Sequence, residues 1–143
     1  MSTLSPTAET RPARRAKAAP VPQTRGQAVG GPKAILRLEG GVVLAVAAAA
    51  YSQAGSGWML FALLFLVPDV SMLGYLAGRR IGAVGYNLGH SYLGPAALGA
   101  YGLWSATPLA VSVALIWVAH IGFDRMLGYG LKYATGFKHT HLG

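Results

Sequence analysis

Between residues 34 and 123 the chain carries formal charge only at Arg37, Glu39, Asp69, Arg79 and Arg80; the remainder is apolar runs parted by short polar breaks. That pattern constrains the fold more than any motif does. A water-soluble helical bundle needs a polar face on each helix, and the runs at residues 34–51, 57–78, 81–104 and 107–123 lack one. At about 1.5 Å per residue even an eighteen-residue run reaches roughly 27 Å, close to the hydrocarbon thickness of a bilayer. A composition of 53% hydrophobic and 11% charged residues is likewise too apolar for an ordinary soluble domain. The expected fold is therefore all-α: an integral membrane bundle of four transmembrane helices, with the lipid bilayer as its first partner.

Residues 1–33 differ from the rest. They are rich in Pro, Ala, Thr, Gln and Arg without hydrophobic periodicity, so they cannot bury enough apolar surface to offset the entropy of ordering. They are expected to form a disordered basic tail. The net charge of +8 does not point to nucleic acid, because no aromatic residue stands among the tail's cations to stack on a base. Anionic lipid head groups account for it better. Beyond the tail, and apart from Arg37 near the start of the first span, basic residues fall at Arg79, Arg80, Arg125, Lys132 and Lys138, while the breaks at "SQAGSG" and residues 105–107 carry none. In a four-pass topology all of them lie on one side, and the positive-inside rule makes that side the cytoplasm, with both termini there. Residues 125–143 alternate Tyr129, Tyr133 and Phe137 with cations, the mixture of an interfacial segment.

The few polar groups inside the spans define the candidate site. If the second and third spans turn at Arg79 and Arg80, Asp69 and His90 lie ten residues either side of the turn. Helix rise then puts both roughly 15 Å from it. A carboxylate near mid-membrane costs about 2.5–3.5 kcal/mol unless it is paired, protonated or wet, and an imidazole at equal depth is its natural partner. Asn87 lies one turn from His90 on the same face. A second polar layer, nearer the cytoplasm, is expected from Arg37 and Glu39 in the first span and from His120 and Asp124, four residues apart, in the fourth.

Three functions fit this cluster. Polar side chains in membranes commonly serve as interhelical hydrogen-bonding groups, which describes a structural or accessory bundle. Intramembrane ionisable groups also mark proton or ion pathways; four short helices hold no complete path, so that reading requires a homo-oligomer. Third, His90, His120, Asp69, Asp124 and Glu39 are suitable ligand types for a metal-dependent intramembrane lipid hydrolase. No HExxH, serine elbow or tight ligand spacing supports it, and uniform helix rise separates His90 and His120 by roughly 8 Å in depth, which argues against a shared haem. No metal ligand set is assigned and no cofactor identified. His139 and His141 at the chain end form only a weak chelating pair.

The strings "RLEGGVVLA", "FLVPDVSMLGYLAG", "YNLGHSY", "WVAHIGFDRMLGYGLKY" and "GFKHTHLG" together resemble a family of small bacterial integral membrane proteins catalogued as domain of unknown function 4260, over residues 38–143. The resemblance implies a bacterial source and an inner-membrane location, and it brings no activity with it. Glu39, Asp69, Asn87, His90, His120 and Asp124 all fall within the shared strings.

Overall fold

A computed structural model describes residues 26–54, 56–134 and 140–142. Most of the expected tail, residues 1–25, lies outside them. The described residues form helices α1 (Gly30–Ala54), α2 (Trp58–Phe65), a 3₁₀ segment (Val67–Ala77), α3 (Arg79–Gly89), α4 (Leu93–Trp104) and α5 (Pro108–Leu127). Among them no strand forms, only an isolated bridge between Lys132 and Thr140.

Proline and glycine set the helix ends. Pro32 falls in the first turn of α1 and Pro108 opens α5, where a missing N–H leaves no hydrogen bond unmade. Gly128 closes α5 at φ +95°. Its left-handed backbone lets the Tyr129 N–H reach the Asp124 carbonyl at 2.8 Å, satisfying an end-of-helix acceptor. α1 and α5 pack antiparallel with their backbones in contact. A Cβ on Gly122 would stand 2.7 Å from the Leu44 nitrogen, and one on Gly40 would stand 2.7 Å from the Met126 nitrogen. Ser56 and Ser112 join one end of this pair through their hydroxyls at 2.6 Å. At the other end the Ala28 N–H donates to the His141 carbonyl at 2.8 Å, so the four residues before α1 are tied to the C-terminal segment.

Three helical stretches are long and apolar enough to cross a membrane: α1, residues Trp58–Ala77 taken as α2 with the 3₁₀ segment, and α5. The expected third span at residues 81–104 is instead two helices of eleven and twelve residues, each short of the roughly 20 a crossing needs. Pro95 explains the break. In an uninterrupted helix its ring would collide with the carbonyl of Ser91; restarting at Leu93 puts Pro95 in the first turn of α4, where it is tolerated. The second span is irregular for the same reason. Pro68 removes a donor, and the chain tightens into a 3₁₀ run of eleven residues, well beyond the three or four that are common.

The 3₁₀ segment and α3 form a hairpin turning at Gly78, closely packed where a Cβ on Gly74 would lie 3.4 Å from the Gly82 Cα. α4 then runs back along α5, with Gly94 against Trp117 and Gly102 against Val111. The C-terminal segment folds onto α3: Asn87 donates its amide to the Lys132 carbonyl at 2.9 Å and accepts the Lys132 N–H at 2.7 Å. Leu142 is fully buried there.

Candidate metal centre

The 3₁₀ segment, α3 and α5 converge on four side chains. Asp69 stands in the first turn of the 3₁₀ segment, His90 caps α3 at its C-terminal end, and His120 and Asp124 occupy successive turns of α5. One ligand atom from each lies within 4.8 Å of all the others. His90 Nε2 is 3.2 Å from His120 Nε2, 3.4 Å from Asp69 Oδ1 and 3.4 Å from Asp124 Oδ2; His120 Nε2 is 3.6 Å from Asp69 Oδ1. A tetrahedral ion with bonds of ~2.0–2.1 Å to nitrogen and oxygen needs its ligand atoms about 3.3 Å apart. These four separations match that spacing, and the two remaining donor pairs lie within 4.8 Å. A divalent cation here also has electrostatic use, since two carboxylates held this close repel unless a positive charge or a proton lies between them.

The surroundings orient the donors. His90 Nδ1 lies 3.0 Å from the Tyr86 carbonyl; a carbonyl can only accept, so Nδ1 carries the proton and Nε2 presents its lone pair to the cluster. The Tyr86 ring stacks on the His90 imidazole at 3.8 Å and 10°, while its hydroxyl donates to Asp124 Oδ2 at 3.0 Å. Tyr86 therefore positions two members at once. His120 is held by packing, with its ring edge-on to Phe65 at 5.3 Å, and its Nδ1 is buried with no hydrogen-bond partner among the described residues. Both imidazoles are buried, whereas the Asp69 side chain is 39% exposed, which leaves one side of the cluster approachable. Lys132 holds its ammonium 4.5 Å over the Tyr86 ring. Burial pushes that ammonium below its ordinary pKa, with Asp124 and Asp69 opposing the shift, so the lysine feels the charge of the site.

The two polar layers expected from the sequence are one. Asp69 and His90 do meet, but level with His120 and Asp124 in the last two turns of α5. The inferred 8 Å offset between the histidines is replaced by a 3.2 Å contact. Uniform helix rise fails because the 3₁₀ segment rises faster than an α-helix and because α3 ends at His90. Glu39 stays outside, exposed on α1, and Arg37 donates from Nε to the Met126 carbonyl at 2.9 Å. Asn87 engages the Lys132 backbone rather than the carboxylate or the imidazole. Of the expected surface anchors, Arg79 and Arg80 are exposed at the hairpin tip, Arg125 lies 4.5 Å over the Tyr92 ring, and Lys132 is buried. His139 lies outside the described residues, and His141 Nδ1 accepts the Leu131 N–H at 2.8 Å, which occupies that ring nitrogen. Tyr86 escaped sequence reasoning, although its four-residue spacing from His90 in "YNLGHSY" puts both on one helix face.

No curated protein and no solved structure is significantly similar to this chain. The family described as Domain of unknown function (DUF4260) matches residues 33–143, a stretch that contains every member of the cluster. By that match the chain belongs to the DUF4260 family.

Proposed function

We propose that this protein is a metal-dependent membrane hydrolase: an integral membrane protein holding one divalent transition-metal ion, zinc by donor chemistry, between Asp69, His90, His120 and Asp124. The observation that carries the reading is the spacing of the donor atoms: four of their six pairs are 3.2–3.6 Å apart, as in a tetrahedral site, and all lie within 4.8 Å of one another. Paired imidazole and carboxylate donors suit zinc and its neighbours, and the Tyr86 carbonyl on His90 Nδ1 supplies the outer-shell support such ligands have. Of the three functions that fit the sequence, this one gains most. Interhelical hydrogen bonding alone needs neither the inward-facing lone pair of His90 nor four donors at one point.

Hydrolysis fits a site with one accessible side. Four protein donors would close a tetrahedral ion, so hydrolysis requires one of them to yield its place to water. Asp69, the exposed member, is the one that could. Its freed carboxylate would take a proton from that water, whose oxygen would bond to an acyl or phosphoryl centre while the same proton passes to the departing oxygen. Orientation follows from the basic residues: Arg79, Arg80 and the two chain ends face the cytoplasm, and the cluster lies near that side. The deciding experiment is elemental analysis of the purified chain. One zinc ion per chain is expected, lost in His90→Ala and in His120→Ala; wild-type protein that neither retains nor takes up a divalent metal refutes the proposal.

A further inference from the structure

One to two turns before His120 on α5, a cavity of about 330 Å³ opens between α5, α4 and the start of the 3₁₀ segment, walled by Leu64, Val67, Leu98, Val113, Ile116 and Trp117. Pro68 and Gly89, the residues just before Asp69 and His90, also border it, so the cavity adjoins the cluster along the chain. Its size is within the roughly 300–1,000 Å³ of small-molecule sites. One feature argues for the kind of occupant: the lining is apolar but for Ser71, whose buried hydroxyl packs against Gly89 and does not face the open space, so hydrocarbon suits the cavity better than a polar ligand. Val67, on the rim, is 51% exposed beside the exposed Leu63, Val70 and Leu73, so the mouth opens onto the same apolar surface that would face lipid.

From these relations we infer that the cavity receives the acyl chain of a membrane lipid, whose polar end is thereby delivered to the Asp69, His90, His120 and Asp124 cluster. The substrate class of the proposed hydrolase is then a chain-bearing amphiphile, an inference that rests on the metal reading for its chemistry but not for chain binding. The order of features along α5 fits. Val113 precedes His120 by about 10 Å of helix rise, so the apolar cavity lies toward mid-membrane and the polar cluster toward the end where the chain termini gather. Hydrocarbon tail and head group have the same sequence of polarity. The occupant is a lipid chain rather than a soluble ligand because the mouth faces the belt of apolar side chains.

Trp117 provides the test, because its indole borders the cavity and is fixed by a 2.6 Å hydrogen bond from Nε1 to the Gly89 carbonyl. Trp58 and Trp104 are exposed and are replaced by Phe, leaving Trp117 as the sole indole. The full chain is reconstituted in phosphatidylcholine bilayers containing increasing fractions of chain-brominated phosphatidylcholine, and its fluorescence is followed. Strong quenching is expected, falling several-fold when the cavity is filled by Val113→Phe or, independently and from another helix, by Leu98→Phe. Zinc content measured on the same samples should stay at its wild-type level in both filled variants, which also reports that they are folded. No quenching, or quenching that neither filled and zinc-retaining variant changes, overturns the inference. Quenching that responds to filling in a protein without metal sustains the chain site and refutes the hydrolase, so the two failures are distinct.

Discussion

The Tyr86 hydroxyl donates to Asp124 while its ring stacks on His90, so one side chain from α3 ties a carboxylate on α5 to the imidazole at its own helix end. Tyr86 touches no metal under the proposed reading; it positions two ligands. Phe at this position keeps the stack and removes only the hydrogen bond to Asp124. Tyr86→Phe is expected to weaken zinc binding by about ten- to a hundred-fold, the usual effect of losing an outer-shell partner, with the stoichiometry unchanged. Competition against a chromophoric chelator measures it. An affinity equal to wild type would mean that Asp124 needs no orientation from α3.

Ligand substitutions should separate the metal reading from simple helix gluing. If the four groups only hydrogen-bond to one another, Asp69→Asn loses roughly 0.6 kcal/mol, the average for a polar contact between membrane helices, and metal has no influence on stability. If they hold a metal, wild-type protein loses thermal stability on treatment with a strong chelator and regains it with zinc, whereas Asp69→Asn and His120→Ala respond to neither, by the linkage between ligand binding and folding. Thermal denaturation in detergent with and without chelator reads the difference.

How much of this was legible in the sequence can be judged residue by residue. Apolar runs identified the helices because hydrocarbon burial needs little more than composition, and Asp69, His90, His120 and Asp124 stood out because ionisable groups are rare in such runs. Their union in one site was not legible. It depends on α3 stopping at His90 and on the 3₁₀ geometry after Pro68, neither of which a uniform rise per residue represents. Pro95 did signal the broken third span, but hydropathy averaging hides a proline set between Leu93-Gly94 and Ala96-Ala97. The close approach of α1 to α5 was not legible either, because it is made between Gly40 and Gly122, far apart in sequence, where a Cβ on either would meet the other's backbone carbonyl at 2.8 Å.

That contact is open to test. A methyl group at Gly122 would press on the Leu44 nitrogen and the Gly40 carbonyl, 2.7 and 2.8 Å from where its carbon would stand. Backbone atoms cannot rotate aside as side chains do, so α1 must move off α5. Gly122→Ala is expected to destabilise the protein by about 1–3 kcal/mol, the range for overpacking a tight contact. Gly31→Ala, with nothing within 4 Å of its new carbon, should be neutral or mildly stabilising. Denaturation of the two variants in parallel would check the contrast, and equal stabilities would contradict the close approach of α1 and α5.

The C-terminal segment should carry a pH response through His141. Burial lowers the pKa of this imidazole and the nearby Arg125 lowers it further, and its Nδ1 can accept the Leu131 N–H only when unprotonated. The docked segment therefore binds a proton less readily than the released one, whose histidine titrates near its ordinary value of about 6.5. By linkage the released form holds more protons in the window below that value, so docking is fully favourable above it and weakens as the pH falls toward the lowered pKa. Amide hydrogen exchange at Leu131, corrected for the intrinsic effect of pH, is expected to accelerate on acidification through this window, along with exchange at Lys132, which depends on Asn87. His141→Asn offers an uncharged acceptor in place of the imidazole, and in that variant the protection should become independent of pH over the same range. Protection that rises on acidification in the wild-type chain, or an unchanged pH response in His141→Asn, would show that another group controls the docking.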